Sequence, residues 1–117
     1  MKSKATKYKQ RIINIWNEVA PFYHNRWAKN EIGPFSVTNS LIKSARIKSG
    51  YTVLDLACGT GLVTKKILTK VGKGQVYGVD SSKSALDIAR KWVGKKQNIH
   101  FILGDAETIQ FDTNFDT

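Results

Sequence analysis

The chain has 117 residues, of which 41% are hydrophobic, and it carries 19 Lys or Arg against 9 Asp or Glu, a formal net charge of +10. This length and apolar content suit one globular domain and exclude a largely disordered chain. No apolar run of about 18 residues occurs and the basic N-terminus leads into no apolar stretch, so we expect a cytoplasmic protein with no membrane span and no secretory signal.

The excess of positive charge would attract polyanions by long-range electrostatics. The lysines are scattered, however, and form no arginine-rich or aromatic-interleaved module, so nucleic acid is not predicted as the main partner. The lone cysteine, Cys58, has no partner for an internal disulfide. It also forms no cysteine cluster, and no metal site is expected.

Residues 1–50 predict an N-terminal helical segment of the same domain. Apolar residues recur at helical spacing from Tyr8 to Val19, and Pro21 is expected to end this first helix. Ser36 is expected to cap a second helix that closes at Gly50. The apolar face predicted for that second helix comprises Val37, Leu41 and Ala45.

Residues 51–117 predict an alternation of strands and helices. Apolar, β-branched runs at 52–57, 75–80 and 98–103 have strand length, and residues 62–71 and 82–93 between them have helical periodicity. A β-α-β-α-β unit of this kind is nearly always right-handed and parallel. The fold class predicted is therefore α/β, a Rossmann-like three-layer sandwich with strand order 3-2-1.

Each predicted strand is followed by residues suited to a ligand, which in such sheets binds beyond the carboxyl ends of the strands. The first strand leads into the small residues Ala57, Gly59, Thr60 and Gly61. There the backbone can approach a ligand closely. Asp80 ends the second strand and could accept both hydroxyls of a ribose. Asp105 could accept from an exocyclic amine, and Ala106 leaves room for a flat ring, so the three strand ends predict an adenosine site.

Two cofactors contain such an adenosine. A dinucleotide fingerprint beginning at Gly59 and Gly61 requires a third glycine where the chain has Thr64. Asp55, just before the loop, would repel a pyrophosphate but suits the sulfonium and ammonium groups of S-adenosylmethionine. S-adenosylmethionine is the favoured cofactor. An NAD-type dinucleotide-binding redox domain and a non-catalytic adenosine-ligand or interaction module remain as alternatives.

Four stretches, "VLDLACGTG", "VYGVDSSKSAL", "ILGDAETIQF" and "NFD", resemble motifs of the class I S-adenosylmethionine-dependent methyltransferases. The likeness is strongest to the ubiquinone/menaquinone-type and related small-molecule methyltransferases, and it covers residues 51–116. It implies methyl transfer to a small-molecule acceptor by direct displacement, with no catalytic residue assigned. It also implies that residues 59–61 contact the amino-acid end of the cofactor, Asp80 the ribose, and Asp105 with Ala106 the adenine, and Ser81 is a further candidate cofactor contact.

A further stretch, "WNEVAPFYHNRW", is similar to the helical and aromatic segment that often precedes this fold and closes over the cofactor. The resemblance makes Tyr23 a candidate cofactor contact. His24 lies in the same possible lid and is expected to be a loop residue.

Members of the resembled family have a seven-stranded sheet whose fourth strand lies beside the first. The present chain corresponds to their cofactor-binding half, residues 51–117, and is therefore expected to be truncated. The first strand would then be an apolar edge, which proteins normally cover. We accordingly expect a homo-oligomer or a partner that covers this edge.

Overall fold

The fold is described by a computed structural model over residues 3–117. Its elements in chain order are α1 (Lys4–Arg26), α2 (Thr38–Ala45), β1 (Thr52–Leu56), α3 (Leu62–Val71), β2 (Gln75–Asp80), α4 (Lys83–Val93) and β3 (Ile99–Leu103). Two short 3₁₀ helices, Ala28–Asn30 and Gly33–Phe35, connect α1 to α2. Across the described part of the chain, no helix is both long and apolar enough to cross a membrane.

The three strands form one parallel sheet in the order β1-β2-β3. In register, Val53 lies opposite Val76, which in turn lies opposite Ile99. The predicted pairing, direction and order are confirmed, and each boundary lies within one residue of the prediction. The carboxyl ends of all three strands consequently meet at one edge of the sheet.

Helices α3 and α4 contact each other and pack on the same face of the sheet. Two right-handed crossovers that advance in the same direction require this arrangement. A buried cluster fills the space beneath α3 and comprises Ile42, Val53, Ile67, Val71 and Val76. The opposite face carries aromatic contacts of Tyr77 with His100, Phe111 and Phe115. Of the three predicted layers, residues 3–117 thus contribute the sheet and one helical layer.

Helix α1 is longer than the sequence predicts. Ser3 caps its N-terminus by accepting a hydrogen bond from Thr6 N at 3.1 Å, and the helix continues through Pro21 to Arg26. The prediction that Pro21 ends this helix is wrong. Proline removes one backbone donor and crowds the carbonyl of the preceding turn, but the turn after it is held by contacts of Tyr23 and His24 with other parts of the chain.

The second helix also departs from the prediction. It ends at Ala45 and not at Gly50, and the residue that caps it, Arg46, adopts a left-handed conformation with φ of 51°. Its N-terminus has no side-chain cap, so Ser36 does not serve as one. Val37 and Leu41 are 64% and 54% exposed, whereas Thr38 and Ile42 are buried. The predicted apolar face is wrong because α3 contacts α2 along the neighbouring side of the helix.

The outer edge of β1 is partly covered by the chain itself. The amide of Asp116 donates to the carbonyl of Thr52 at 2.8 Å, and Leu54 N donates to Thr117 O at 2.9 Å. The Asp116 carboxylate also accepts from Thr52 N at 2.8 Å. The expectation of a fully uncovered edge is therefore wrong for this half of the strand, while Leu56 at its other end is 48% exposed.

Candidate functional site

A cleft of about 460 Å³ opens at the carboxyl ends of the strands, within the size range of small-molecule sites. All ten residues proposed from the sequence line it: Tyr23, Asp55, Ala57, Gly59, Thr60, Gly61, Asp80, Ser81, Asp105 and Ala106. The topology brings nine of them together because they lie at or just after the carboxyl ends of the three parallel strands, and Tyr23 comes from α1. Further lining residues were not predicted from the sequence, among them Trp16, Ala20, Phe35, Cys58 and Glu107.

The loop after β1 turns sharply to form the floor of the cleft. Ala57, Gly59 and Gly61 all have positive φ, at 57°, 58° and 99°. Gly61 also lies against α4, where an added Cβ would come within 3.1 Å of Ala89 Cβ and of Val93 Cγ2. Glycine at this position therefore satisfies both a left-handed backbone and a close helix contact.

Asp80 organises this loop as well as facing the cleft. Its Oδ2 accepts a hydrogen bond from Gly59 N at 2.9 Å, and its Oδ1 accepts from Ser82 N at 2.9 Å. Ser82 in turn caps α4 by accepting from Ala85 N at 3.1 Å. A carboxylate has about four acceptor positions, so Asp80 can hold the loop and still accept from a ligand.

Asp55 lies beneath the loop and is paired with Thr64. The Thr64 hydroxyl, which is fully buried, donates to Asp55 Oδ2 at 2.6 Å. Burial raises the pKa of Asp55 to about 6, with a smaller increase from the charge of Asp80, and the Thr64 hydrogen bond opposes the rise. Thr64, which stands where the dinucleotide fingerprint requires glycine, is thus the hydrogen-bond partner of Asp55, the acid that suits a cationic ligand.

Asp105 is held from the side of α1. Lys9 Nζ lies 3.1 Å from Asp105 Oδ2 and 2.9 Å from Glu107 Oε2. A hydrogen bond from Glu107 N, together with Lys9, lowers the pKa of Asp105. A ligand amine at Asp105 would share this carboxylate with Lys9 or displace it.

The electrostatic character of the cleft contrasts with that of the whole chain. Four acidic side chains line it, Asp55, Asp80, Asp105 and Glu107. Among the described residues no Lys, Arg or His is part of the lining, although the chain as a whole has a net charge of +10. The cleft is therefore suited to a cationic or hydroxyl-rich ligand and is unfavourable for a pyrophosphate.

One wall of the cleft is aromatic and is supplied by α1 and the segment after it. The Tyr23 ring makes edge contacts with Trp16 and Phe35, at centroid distances of 5.6 and 5.3 Å. Burial raises the pKa of Tyr23, so its hydroxyl stays protonated. Trp16 was missed as a site residue, although its position on the same helix as Tyr23, seven residues earlier, was the available signal.

His24 and Cys58 are two further residues at or near the cleft whose surroundings decide what they can do. His24 is buried within α1 and its Nδ1 lies 2.8 Å from Thr60 Oγ1, so the prediction of a loop residue is wrong. Burial and the charges of Asp55 and Asp80 raise the pKa of the Cys58 thiol. Cys58 is thus protonated and unsuited to act as a nucleophile.

The profile of the methyltransferase domain family matches residues 53–117, which is more than half of the chain. The chain belongs to the class I methyltransferase family. The resemblance found in the sequence motifs is thereby confirmed. Over 97% of its length the chain is 33% identical to the ubiquinone/menaquinone biosynthesis C-methyltransferase UbiE of Coxiella burnetii. It spans 41% of the length of that relative.

Solved structures agree with this assignment. The chain is similar to an S-adenosylmethionine-dependent methyltransferase from Thiobacillus denitrificans in complex with S-adenosyl-L-homocysteine, with a TM-score of 0.60 and 27% identity. That match covers 74% of this methyltransferase chain and 36% of the other. The DhpI–SAH complex has the same fold at a TM-score of 0.69 and 19% identity, over 89% of this chain and 48% of that one.

Proposed function

We propose that this chain binds S-adenosylmethionine in the acidic cleft and forms the cofactor-binding part of a methyltransferase for a small-molecule acceptor. The observation that carries the proposal is the local charge. Four carboxylates line the cleft of a chain that is otherwise strongly basic, and Lys9 pairs with only two of them, Asp105 and Glu107. A sulfonium and an ammonium group are attracted by these carboxylates, whereas the phosphates of a dinucleotide are repelled.

The three strand ends suggest the orientation of the cofactor. Its amino-acid end lies on the loop of residues 59–61, its ribose at Asp80 and Ser81, and its adenine between Asp105 and Ala106. In support of this orientation, Asp80 has acceptor positions left after binding two backbone amides. The small side chain of Ala106 leaves space for a ring beside Asp105.

The expected contribution of these residues to the reaction is positioning. When bound, S-adenosylmethionine supplies an electrophilic methyl group. The acidic residues fix the cofactor, and the wall formed by Trp16, Tyr23 and Phe35 excludes water from that side of the cleft. Holding the acceptor atom in line with the methyl carbon lowers the barrier by several kcal/mol, on the order of that measured for well-oriented intramolecular reactions. No residue is assigned as a catalytic base.

Titration calorimetry of the 117-residue chain with S-adenosylmethionine, S-adenosylhomocysteine and NAD⁺ tests the proposal. We expect the first two to bind with one site per chain and NAD⁺ to bind at least about tenfold more weakly, a difference of 1.4 kcal/mol. Thr64→Gly is an informative variant because it completes the dinucleotide fingerprint without removing an acid. It should not create NAD⁺ binding. Equal or tighter binding of NAD⁺ by the unmodified chain would contradict the proposal.

A further inference from the structure

Helix α1 crosses the cleft and makes polar side-chain contacts with the segment that follows each strand. Lys9 reaches Asp105 after β3, and Asn17 Oδ1 accepts from Ser82 Oγ, after β2, at 2.7 Å. His24 meets Thr60 in the loop after β1. The three α1 residues are eight and seven residues apart, which places them on one side of a helix.

The contact between His24 and Thr60 is the buried one of the three. The two side chains are only 7% and 5% exposed. His24 Nδ1 and Thr60 Oγ1 lie 2.8 Å apart, and either atom can be the donor. The imidazole ring also packs edge-on against Trp92, at a centroid distance of 4.7 Å. Breaking a hydrogen bond in such a place leaves a buried polar atom unsatisfied, which is costly.

Thr60 is a point where the glycine loop needs an anchor. It lies between Gly59 and Gly61, both with positive φ, and glycines give a loop many alternative backbone conformations. The backbone on one side is fixed by β2, since Cys58 N donates to Val79 O and Gly59 N donates to Asp80. The Thr60 side chain is fixed from the opposite direction, by α1.

We propose that His24 is a positioning residue of the cofactor site, which holds Thr60, and with it the glycine loop, in the binding conformation and ties α1 to that loop. The inference rests on the proposed function for its ligand. His24 is not among the residues that line the cleft, so it acts through Thr60 and not on the cofactor. Burial and the positive charge of Lys29 lower the pKa of His24, which keeps the ring neutral and able to accept.

The first test compares His24→Leu with His24→Asn. Leucine removes the hydrogen bond, and we expect the affinity for S-adenosylhomocysteine to fall about tenfold. Asparagine can place an amide near the position of Nδ1, so its affinity should stay within about threefold of the unmodified chain. Equal affinities for the leucine variant and the unmodified chain would overturn the proposal.

His100→Leu is the matched control. His100 also makes one side-chain hydrogen bond, to Gln75 at 2.9 Å, but it is only partly buried and stacks on Tyr77 on the face of the sheet away from the helices. Its replacement should lower the melting temperature and leave the dissociation constant unchanged. A loss of affinity as large as that of His24→Leu would show a general effect of stability and overturn the proposal.

A double-mutant cycle of His24→Leu with Thr60→Val is a second test, and His24→Ala, which also removes the hydrogen bond, replaces His24→Leu if that variant folds poorly in isolation. If His24 acts through Thr60, the double variant should bind no more weakly than the weaker single variant. Additive losses would overturn the inference. Amide hydrogen exchange of residues 59–61, measured without ligand, tests the role of His24 independently of the proposed function. Faster exchange in His24→Leu supports the inference even if S-adenosylhomocysteine does not bind, and unchanged exchange contradicts it.

Discussion

Replacing Asp80 by alanine should weaken binding of S-adenosylhomocysteine more than replacing any acid outside the cleft. The ribose hydroxyls are expected to donate to the Asp80 carboxylate. The same carboxylate accepts from Gly59 N and Ser82 N, both at 2.9 Å, so its loss also loosens the loop and the start of α4. Affinity and stability should therefore both decrease.

The magnitude follows from the number and kind of hydrogen bonds. A hydrogen bond to a charged group contributes roughly 1.5 to 3 kcal/mol, and the loss expected for Asp80→Ala lies in this range. It corresponds to roughly a 10- to 150-fold higher dissociation constant. The two backbone amides left without their acceptor should lower the free energy of unfolding by about 1 to 3 kcal/mol. Asp80→Asn keeps one acceptor oxygen and should lose less of both.

The assay is titration calorimetry at a temperature where urea unfolding shows each variant to be folded. Asp87→Ala is the matched control, because Asp87 lies exposed on α4 and pairs there with Lys83 and Arg90. Its affinity should equal that of the unmodified chain. If folded Asp80→Ala binds S-adenosylhomocysteine as tightly as Asp87→Ala does, Asp80 has no part in the site and the orientation proposed for the cofactor is wrong.

Three further predictions concern pH, packing and turnover. Because burial, with a smaller contribution from Asp80, raises the pKa of Asp55 from 3.8 to about 6, the folded chain retains a proton there that the unfolded chain has released. The contribution of Asp55 to the free energy of unfolding should therefore decrease as pH rises from 4 to 6, while the affinity for S-adenosylmethionine increases. Asp55→Asn should abolish both trends, measured by urea unfolding and by calorimetry. Unchanged trends in this variant would assign them to another group. Gly61→Ala should have a free energy of unfolding about 1 to 3 kcal/mol lower than Gly50→Ala. Both positions have positive φ, but of the two only Gly61 has atoms of α4 about 3.1 Å from the added Cβ. Equal losses of stability in the two variants would refute the packing contribution. The 117-residue polypeptide should bind S-adenosylhomocysteine but should not transfer a methyl group from S-adenosylmethionine to any of a panel of small acceptors. It spans 41% of the length of the UbiE relative, and positioning of the acceptor supplies much of the rate. Measurable turnover would contradict this prediction.

The sheet and its strand ends could be predicted because local pattern and general topology agree there. Apolar, β-branched runs set β1, β2 and β3, and the rule that consecutive parallel strands of a Rossmann-like half-sheet lie side by side gives their order. The same rule brings Asp55, Asp80 and Asp105 to one edge although they are distant in sequence. Nine of the ten proposed residues line one cleft for this reason, and the tenth, Tyr23, comes from α1.

The N-terminal helices were harder to predict because contacts distant in sequence decide their limits. Pro21 is a local helix breaker, but the bond of His24 to Thr60, 36 residues away, holds the turn beyond it. The pairing of Lys9 with Asp105 spans 96 residues and has no local signal. Likewise the buried face of α2 depends on where α3 lies, so the spacing of its own apolar residues was misleading.

A co-crystal structure with S-adenosylhomocysteine would locate the cofactor site. We expect the ligand to fill the cleft at the strand ends, with both ribose hydroxyls within hydrogen-bond distance of the Asp80 carboxylate and the adenine beside Asp105 and Ala106. A ligand bound outside this cleft, or a ribose held by groups other than Asp80, would contradict this expectation.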